Sequence, residues 1–139
     1  MTIRELIEQL NNSDERSNLE AKKGTAIDRS ILETICAFSN EPNLGGGYIL
    51  LGIKESENSL FPSYEASGVV DPDKLQKDIA TQCADSFNLP VRPKITVEEI
   101  NSKNIVLVEV SELPSEQKPL YFKNQNLPKG AFRRIGSTD

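Results

Sequence analysis

Histidine is absent from this sequence of 139 residues. Without an imidazole the chain cannot run a Ser-His or Cys-His nucleophile, use a histidine base near neutral pH, or build a His-based zinc site. The two cysteines, Cys36 and Cys83, cannot close a structural zinc site by themselves. Both fall on apolar faces of predicted helices, which favours small core residues over a disulfide framework. Any chemistry must therefore come from carboxylates, lysine, tyrosine or a hard cation held by oxygen.

Three further sequence signals are missing. No window approaches the ~18 consecutive apolar residues of a membrane span. The acidic, amphipathic start over residues 1–5 lacks the basic and apolar regions of a signal peptide. We therefore expect a cytoplasmic protein that does not bind membranes. No Gly-Lys-Ser or Gly-Lys-Thr occurs, so the chain has no Walker A loop and cannot by itself be a typical ATPase or helicase.

The predicted elements alternate between helices and strands. Helices are predicted over about residues 3–11, where Thr2 and Glu5 form a capping box, from Asp28 to just before Pro42, and after Asp71. Asp28 and Asp71 are capping residues, and apolar residues follow each of them at helical spacing. Strands are predicted within residues 15–24, at 48–53, in a hairpin of 95–100 and 105–110 with a four-residue loop, and as short pieces at 120–122 and 131–135. With 37% hydrophobic and 27% charged residues, this order predicts one α/β or α+β domain over residues 1–139, built on a single mixed sheet with helices packed on it.

Charge is distributed unevenly along the chain, whose formal net charge is −5. Residues 1–116 carry 11 Lys and Arg against 20 Asp and Glu, a balance of −9, whereas residues 117–139 carry five against one, a balance of +4. A basic end on an acidic body can form a local phosphate-binding patch, because screening limits charge interactions to about 8–10 Å. The alternative is that solvated lysines merely keep a terminal segment soluble.

The candidate nucleic-acid-binding residues come from both parts of the chain. Two more cations, Arg29 near the first predicted strand and Lys118 near the end of the chain, lie close in sequence to the residues selected below. Tyr121, Phe122 and Phe132 are interleaved with the terminal cations, and aromatic rings beside cations can stack bases. Phe132 is equally suited to the core of a terminal strand, so the pattern supports phosphate binding but not base reading. The selected residues are Lys22, Lys23, Lys123, Lys129, Arg133 and Arg134.

Carboxylates are the plausible catalytic set. Glu15 and Glu20 can share a divalent cation if the chain between them folds back, and Glu55 or Glu57 would supply the third ligand. Mg²⁺ or Mn²⁺ held there could activate water for phosphodiester cleavage. Exposed surface charge is the alternative explanation in a chain with 21 acidic residues.

The glycine triplet at residues 45–47 does not match a phosphate-binding loop. It follows a predicted helix and precedes a predicted strand, whereas dinucleotide and P-loop motifs run from strand through glycine to helix. We interpret it as a turn that lets the elements of Phe38 and Tyr48 approach closely.

Five motifs, in this order along nearly the whole chain, resemble the Schlafen-type AlbA_2 domain. They are ERSNLEAK at 15–22, DRSILETICAFSN at 28–40, GGYILLGI at 46–53, DKL at 73–75 and FRRIGST at 132–138. The resemblance implies a DNA-binding module at the N-terminus of bacterial transcriptional regulators, many of them RecG-like helicase-related proteins, in which an ATPase-like region follows. Because the chain stops just after Gly136-Ser137-Thr138, we expect it to be the N-terminal part of a longer protein. The ATPase-like region would then be its partner and would hold any ATP-dependent activity.

The resemblance also bears on the carboxylates. Animal Schlafen relatives use two glutamates of a Glu-x4-Glu segment and an acid after the Gly-Gly strand for metal-dependent RNA cleavage, matching Glu15, Glu20 and the Glu55 region. Relatives often read Gly-Val-Asp-Asp where this chain has Lys54 before Glu55, which lowers the negative potential there. We therefore expect a DNA-binding domain without a cofactor or catalytic residues. The alternatives are a Mg²⁺- or Mn²⁺-dependent nuclease and a protein-interaction or dimerisation module that forms a homo-oligomer.

Overall fold

Helices and strands alternate in the computed structural model, which describes residues 2–13, 18–24, 26–56, 63–125 and 131–133. Within these ranges the α-helices are α1 (Ile3–Ser13), α2 (Arg29–Asn40) and α3 (Pro72–Asp85). The strands are β1 (Leu19–Lys22), β2 (Gly47–Leu51), β3 (Ile53–Glu55), β4 (Tyr64–Ala66), β5 (Lys94–Ile100) and β6 (Lys103–Val110). A short 3₁₀ helix spans Ser115–Gln117. The predicted α+β class is confirmed.

Four strands form a mixed sheet in the order β1-β2-β6-β5. β1 and β2 run parallel, with Ala21 opposite Leu50, whereas β2–β6 and β6–β5 are antiparallel. β2 lies inside the sheet, and its side chains are buried on both faces because helices cover each side. The continuous apolar run from Tyr48 predicted such a doubly covered strand, and this prediction is confirmed.

Helices cover the two faces of the sheet. α2 and α3 pack on one face, where Ile49 and Leu51 of β2 join their apolar residues in one core cluster. α1 packs on the other face, where Leu50 belongs to a second cluster. Adjacent residues of β2 enter different clusters because side chains alternate across a strand. None of the described helices is long and apolar enough to cross a membrane.

All three helices begin at the predicted capping residues. Thr2 Oγ1 accepts from the Glu5 amide at 3.1 Å, and the Thr2 amide donates to Glu5 Oε1 at 3.2 Å. These two bonds form the predicted capping box. Asp28 accepts from the amide of Ile31, and Asp71 from that of Lys74, each at 3.0 Å. Each cap supplies an acceptor to an amide that has no partner inside its helix.

The apolar run predicted as one strand over residues 48–53 divides at Gly52. Gly52 has φ +93°, and its amide bonds to the carbonyls of Lys22 and Lys23 at the end of β1. A side chain would be strained at this φ, so glycine allows the backbone to leave the sheet. The following β3 pairs with β4 as a separate two-stranded sheet. The prediction of a single sheet is wrong in this respect.

The hairpin of β5 and β6 has a shorter loop than predicted. Ile100 pairs with Lys103, so two residues connect the strands rather than four. Asn101 and Ser102 both have positive φ, at 52° and 64°. Two consecutive left-handed residues give the turn whose twist matches paired strands. The predicted loop was too long because neither residue is the glycine that usually marks such a turn.

The predicted C-terminal strands are present only as isolated bridges within the described residues. Tyr121 pairs with Ala131, and Phe122 pairs with Phe87 beyond the end of α3. Ile135, the end of the second predicted piece, lies outside the described residues, as does the start of the predicted 15–24 strand segment.

The glycine turn at residues 45–47 allows the elements of Phe38 and Tyr48 to approach closely, as predicted. A Cβ atom at Gly47 would lie 2.6 Å from the Phe38 ring, and one at Gly46 would lie 1.9 Å from the Val110 carbonyl oxygen. The turn therefore brings β2 against both α2 and the end of β6.

Both cysteines are buried free thiols in helices, as predicted. Burial raises the pKa of the Cys83 thiol to about 12. Since the thiolate is the reactive form, we expect a thiol reagent at pH 8 to label native Cys83 about a thousandfold more slowly than an exposed cysteine. Urea should release two reactive thiols per chain. Stopped-flow labelling with and without urea measures this, and rapid native labelling of Cys83 would contradict its burial.

Candidate nucleic-acid interface

The C-terminal segment, defined here as residues 118–125 and 131–133, lies on α2. Asn40, at the end of α2 and 5% exposed, connects both parts of it. Its Nδ2 donates to the carbonyls of Leu120 and Phe132 at 2.9 and 2.8 Å, and its Oδ1 accepts from the Leu120 amide at 2.7 Å. The Cys36 thiol also donates to the Leu120 carbonyl. These bonds place the most basic part of the sequence beside a helix that starts near β1.

From Leu120 the segment runs towards the N-terminal end of α2. Phe122 packs against Phe87, with ring centroids 4.8 Å apart, and contacts Phe132 edge to face at 5.9 Å. The Lys123 amide donates to the carbonyl of Ser86 just after α3. Phe122 and Phe132 thus serve the core, as expected in the alternative interpretation of Phe132, while Lys123 stays exposed.

Arg29, the first residue of α2, joins the helix to this segment. Its Cζ lies 3.9 Å from the centroid of the Phe122 ring, a cation–π contact. Its Nε donates to Glu33 at 3.3 Å, and its Nη2 donates to Gln125 at 3.0 Å. Sequence reasoning identified Arg29 as a cation but did not select it, because Phe122 and Gln125 lie more than 90 residues away along the chain.

Lys22 reaches the same end of α2 from β1. Its Nζ donates to Ser30 Oγ at 3.1 Å and lies 3.5 Å from Glu20 Oε2. Ser30 in turn donates to Asp28 at 2.7 Å. Burial acts to raise the pKa of the Asp28 carboxyl, but the hydrogen bonds from Ser30 and Ile31 and the charge of Lys22 outweigh it and hold the pKa below its ordinary value.

A cleft of about 470 Å³ lies between the start of α2, the end of α3 and residues 122–124. Ile27, Leu32 and Phe122 are among its apolar lining, and Arg29 and Lys123 contribute positive charge. Its other lining residues are polar or acidic: Asp28, Gln82, Asp85, Ser86 and Asn124.

Arg133 lies at the opposite end of α2. Its Nε and Nη2 donate to the two carboxylate oxygens of Glu41 at 3.2 and 3.1 Å, and this pairing raises the pKa of the Arg133 guanidinium. A helix of 12 residues is about 18 Å long, which is about two Debye lengths at physiological salt. Lys118 is paired with Glu112 at 2.6 Å.

The structure thus divides the predicted nucleic-acid-binding residues. Lys22 and Lys123 come together with Arg29 around the N-terminal end of α2, and we call these three residues the basic cluster. Lys23 is exposed directly after β1, and Arg133 lies apart at the far end of the helix. Lys129 and Arg134 are outside the described residues.

The carboxylates predicted as metal ligands are not assembled in the described part of the chain. Glu20 accepts from Thr34 at 2.7 Å and pairs with Lys22 on the α2 side of the sheet. Glu55 is exposed on β3, whose partner strand β4 contacts α1 on the other side. Glu15 and Glu57 lie outside the described residues. No group of three His, Cys, Asp or Glu able to hold a metal occurs among the residues that the structure describes.

Comparisons with known proteins identify relatives of this chain. The family model described as Schlafen, AlbA_2 matches residues 11–139. A solution NMR structure of the N-terminal domain of a "Putative ATP-dependent DNA Helicase RecG-related Protein" from Nitrosomonas europaea is 43% identical, with a TM-score of 0.82 over 97% of this chain and 89% of that one. The DIP2311 protein from Corynebacterium diphtheriae shares the fold at 13% identity, with a TM-score of 0.56 over 98% of this chain and 30% of that one. No curated protein matches.

Proposed function

The chain belongs to the Schlafen AlbA_2 family, and on this basis we propose that it is a nucleic-acid-binding domain, with DNA as its expected ligand. The 43% identical relative from Nitrosomonas europaea is the N-terminal domain of a protein whose name describes a DNA helicase. By analogy, the proposed setting of this domain is a RecG-related helicase or transcriptional regulator, in which an ATPase-like region of the same protein is its partner.

The observation that carries the proposal is the basic cluster at the N-terminal end of α2. Its members come from β1, α2 and the C-terminal segment, and the ring contact of Arg29 and the Ser30 contact of Lys22 fix two of them. The amides at the start of α2 are capped by the Asp28 carboxylate, so the side chains of the cluster, rather than the helix N-terminus, are the proposed phosphate contacts. The chain as a whole is acidic, with a formal net charge of −5, so this local group of cations is where a nucleic-acid backbone would dock.

Ion pairs within the cluster do not prevent this use. Arg29 pairs with Glu33, and because both side chains are partly exposed this pair contributes about 0–1 kcal/mol. Lys22 pairs with Glu20 at 3.5 Å and is less accessible, with the two side chains 21% and 13% exposed. A nucleic-acid backbone offers several phosphates at once and releases condensed counterions, so it can compete with single carboxylates for these cations.

The far end of α2 extends the proposed contact surface. One strand of duplex DNA carries a charge about every 3.4 Å, so the ~18 Å length of α2 corresponds to about five phosphates. Arg133 lies at that end of the helix. We therefore include Lys23, Lys129, Arg133 and Arg134 as further candidates for backbone contact. Of the seven candidate residues, we expect about four to six to contact phosphates in the complex.

Removing two charges of the basic cluster tests the proposal. We expect log K for a DNA duplex to fall with log salt at a slope of about −4 to −5, and Lys22→Gln with Lys123→Gln to reduce that slope by about 2. The variant should bind about tenfold more weakly at ~0.1 M salt, equally for unrelated sequences, because backbone contacts carry no base information. Fluorescence anisotropy over a salt series measures both quantities.

The matched control is Lys54→Gln with Lys94→Gln. These two lysines are exposed and paired with glutamates, and they lie on β3 and β5 rather than at the start of α2. This variant changes net charge by the same amount and should keep most of the slope. A flat salt response of the unmodified protein, or equal losses in the two double variants, would count decisively against the proposal.

A further inference from the structure

Arg29 is held in a fixed orientation on an aromatic ring. One face of its guanidinium covers Phe122, which is 3% exposed. The N–H groups of a guanidinium lie in its own plane, so the bonds from Nε to Glu33 and from Nη2 to Gln125 fix the plane from two sides. The side chain nevertheless remains 43% exposed. An oriented planar group with an accessible surface is a platform on which another planar group can stack.

The space beside this platform suits one planar, partly polar ligand. The cleft is about 470 Å³ in volume, within the roughly 300–1,000 Å³ typical of small-ligand sites. Ile27 and Leu32 give it apolar walls, whereas Gln82, Asp85 and Asn124 offer hydrogen-bonding groups. Lys123 also lines the cleft, so a cation is available there for the phosphate attached to a bound ring.

We propose that this cleft takes one unpaired nucleobase, stacked on the guanidinium of Arg29, so that the domain prefers single-stranded nucleic acid to duplex. This inference rests on the proposed function and specifies its ligand. Guanidinium planes stack on bases as aromatic rings do. A base within a duplex is covered on both faces by its neighbours and offers no free face to Arg29, whereas a base of a single strand can turn into the cleft.

The Arg29→Lys variant separates stacking from charge, because lysine keeps the positive charge but has no planar group. We expect it to bind a single-stranded oligodeoxynucleotide about tenfold more weakly, the effect of losing one stacked base. Its affinity for the duplex of the same sequence should change less than twofold. Arg4→Lys, the same exchange on the exposed side of α1, is the matched control and should change neither affinity. Anisotropy titrations at one salt concentration give all the values.

The outcomes distinguish the inference from the proposed function. If the unmodified protein binds neither single strand nor duplex, the proposed function fails, and the inference fails with it. If both bind and Arg29→Lys leaves single-strand affinity unchanged, or weakens both ligands equally, only the stacking inference is overturned.

A readout on the unmodified protein covers the case in which Arg29→Lys does not fold. A base stacked on the guanidinium shifts the Arg29 Nε–H proton resonance upfield through its ring current. We expect this shift in a titration with the single strand and not with the duplex. Binding of the single strand without the shift would overturn the inference.

Discussion

Asn40→Ala is expected to lower the free energy of unfolding by about 2–5 kcal/mol. The change removes three hydrogen bonds to the backbone of Leu120 and Phe132. The Leu120 carbonyl keeps its bond from the Cys36 thiol, but the Leu120 amide and the Phe132 carbonyl lose the bonds to Asn40, and each buried backbone group left without a partner costs about 1–3 kcal/mol. Because these bonds hold the C-terminal segment on α2, the folded variant should also bind DNA more weakly. Urea unfolding monitored by circular dichroism, followed by anisotropy at a temperature where the variant is folded, measures both effects.

Ser39→Ala is the control for this change. Ser39 is equally buried, but its hydroxyl donates only to the Ile35 carbonyl one turn earlier in the same helix. That carbonyl belongs to the α2 backbone, and no bond between segments depends on the hydroxyl. We expect a loss below about 1 kcal/mol. If Asn40→Ala costs no more than Ser39→Ala, the bonds to the C-terminal segment do not stabilise the fold.

The Gly46→Ala variant is expected to lose about 2–5 kcal/mol of stability. Gly46 has φ +88°, where an L-residue costs about 1–2 kcal/mol. Its added Cβ would lie 1.9 Å from the carbonyl oxygen of Val110. Relief of that overlap requires a shift of the strand backbone, and such overpacking typically costs about 1–3 kcal/mol more. Urea unfolding again gives the value.

Gly45→Ala separates the two causes. Gly45 also has positive φ, at +75°, but an added Cβ there meets nothing within 4 Å. We therefore expect only the conformational cost, about 1–2 kcal/mol. Equal losses at the two positions would show that the close approach to Val110 makes no contribution.

The local features of this fold could be predicted from short stretches of the chain. Asp28 and Asp71 cap their helices as predicted, and Leu75, Ile79 and Cys83 are buried on one side of α3. Each depends on residues within about one or two helical turns, because capping and amphipathic periodicity are local effects. The division of β2 from β3 at Gly52 could not be predicted in this way. An apolar run indicates that its residues are buried, but it does not indicate the backbone angle at Gly52.

The candidate site could be predicted only in its composition. Cations at both ends of the sequence and interleaved aromatic residues were visible, and Phe122 was among the rings that could stack bases. In the structure the Phe122 ring is buried and packs against the guanidinium of Arg29, and it is Arg29 that contacts solvent. The contact depends on packing between segments that are distant in the chain, and no local pattern encodes it.

Residue order was enough to specify the helices, most of the strands and the α+β class, because those features follow from spacing along one segment, and the family resemblance rested on five short motifs. The arrangement of charge required the folded chain. Asn40 binds backbone groups 80 and 92 residues away, and this contact lays the C-terminal segment along α2. As a result Lys123 joins Lys22, more than 100 positions earlier, while Arg133, only ten positions from Lys123, lies at the other end of the helix. Distance in space after packing, rather than separation in sequence, sets which charges act together.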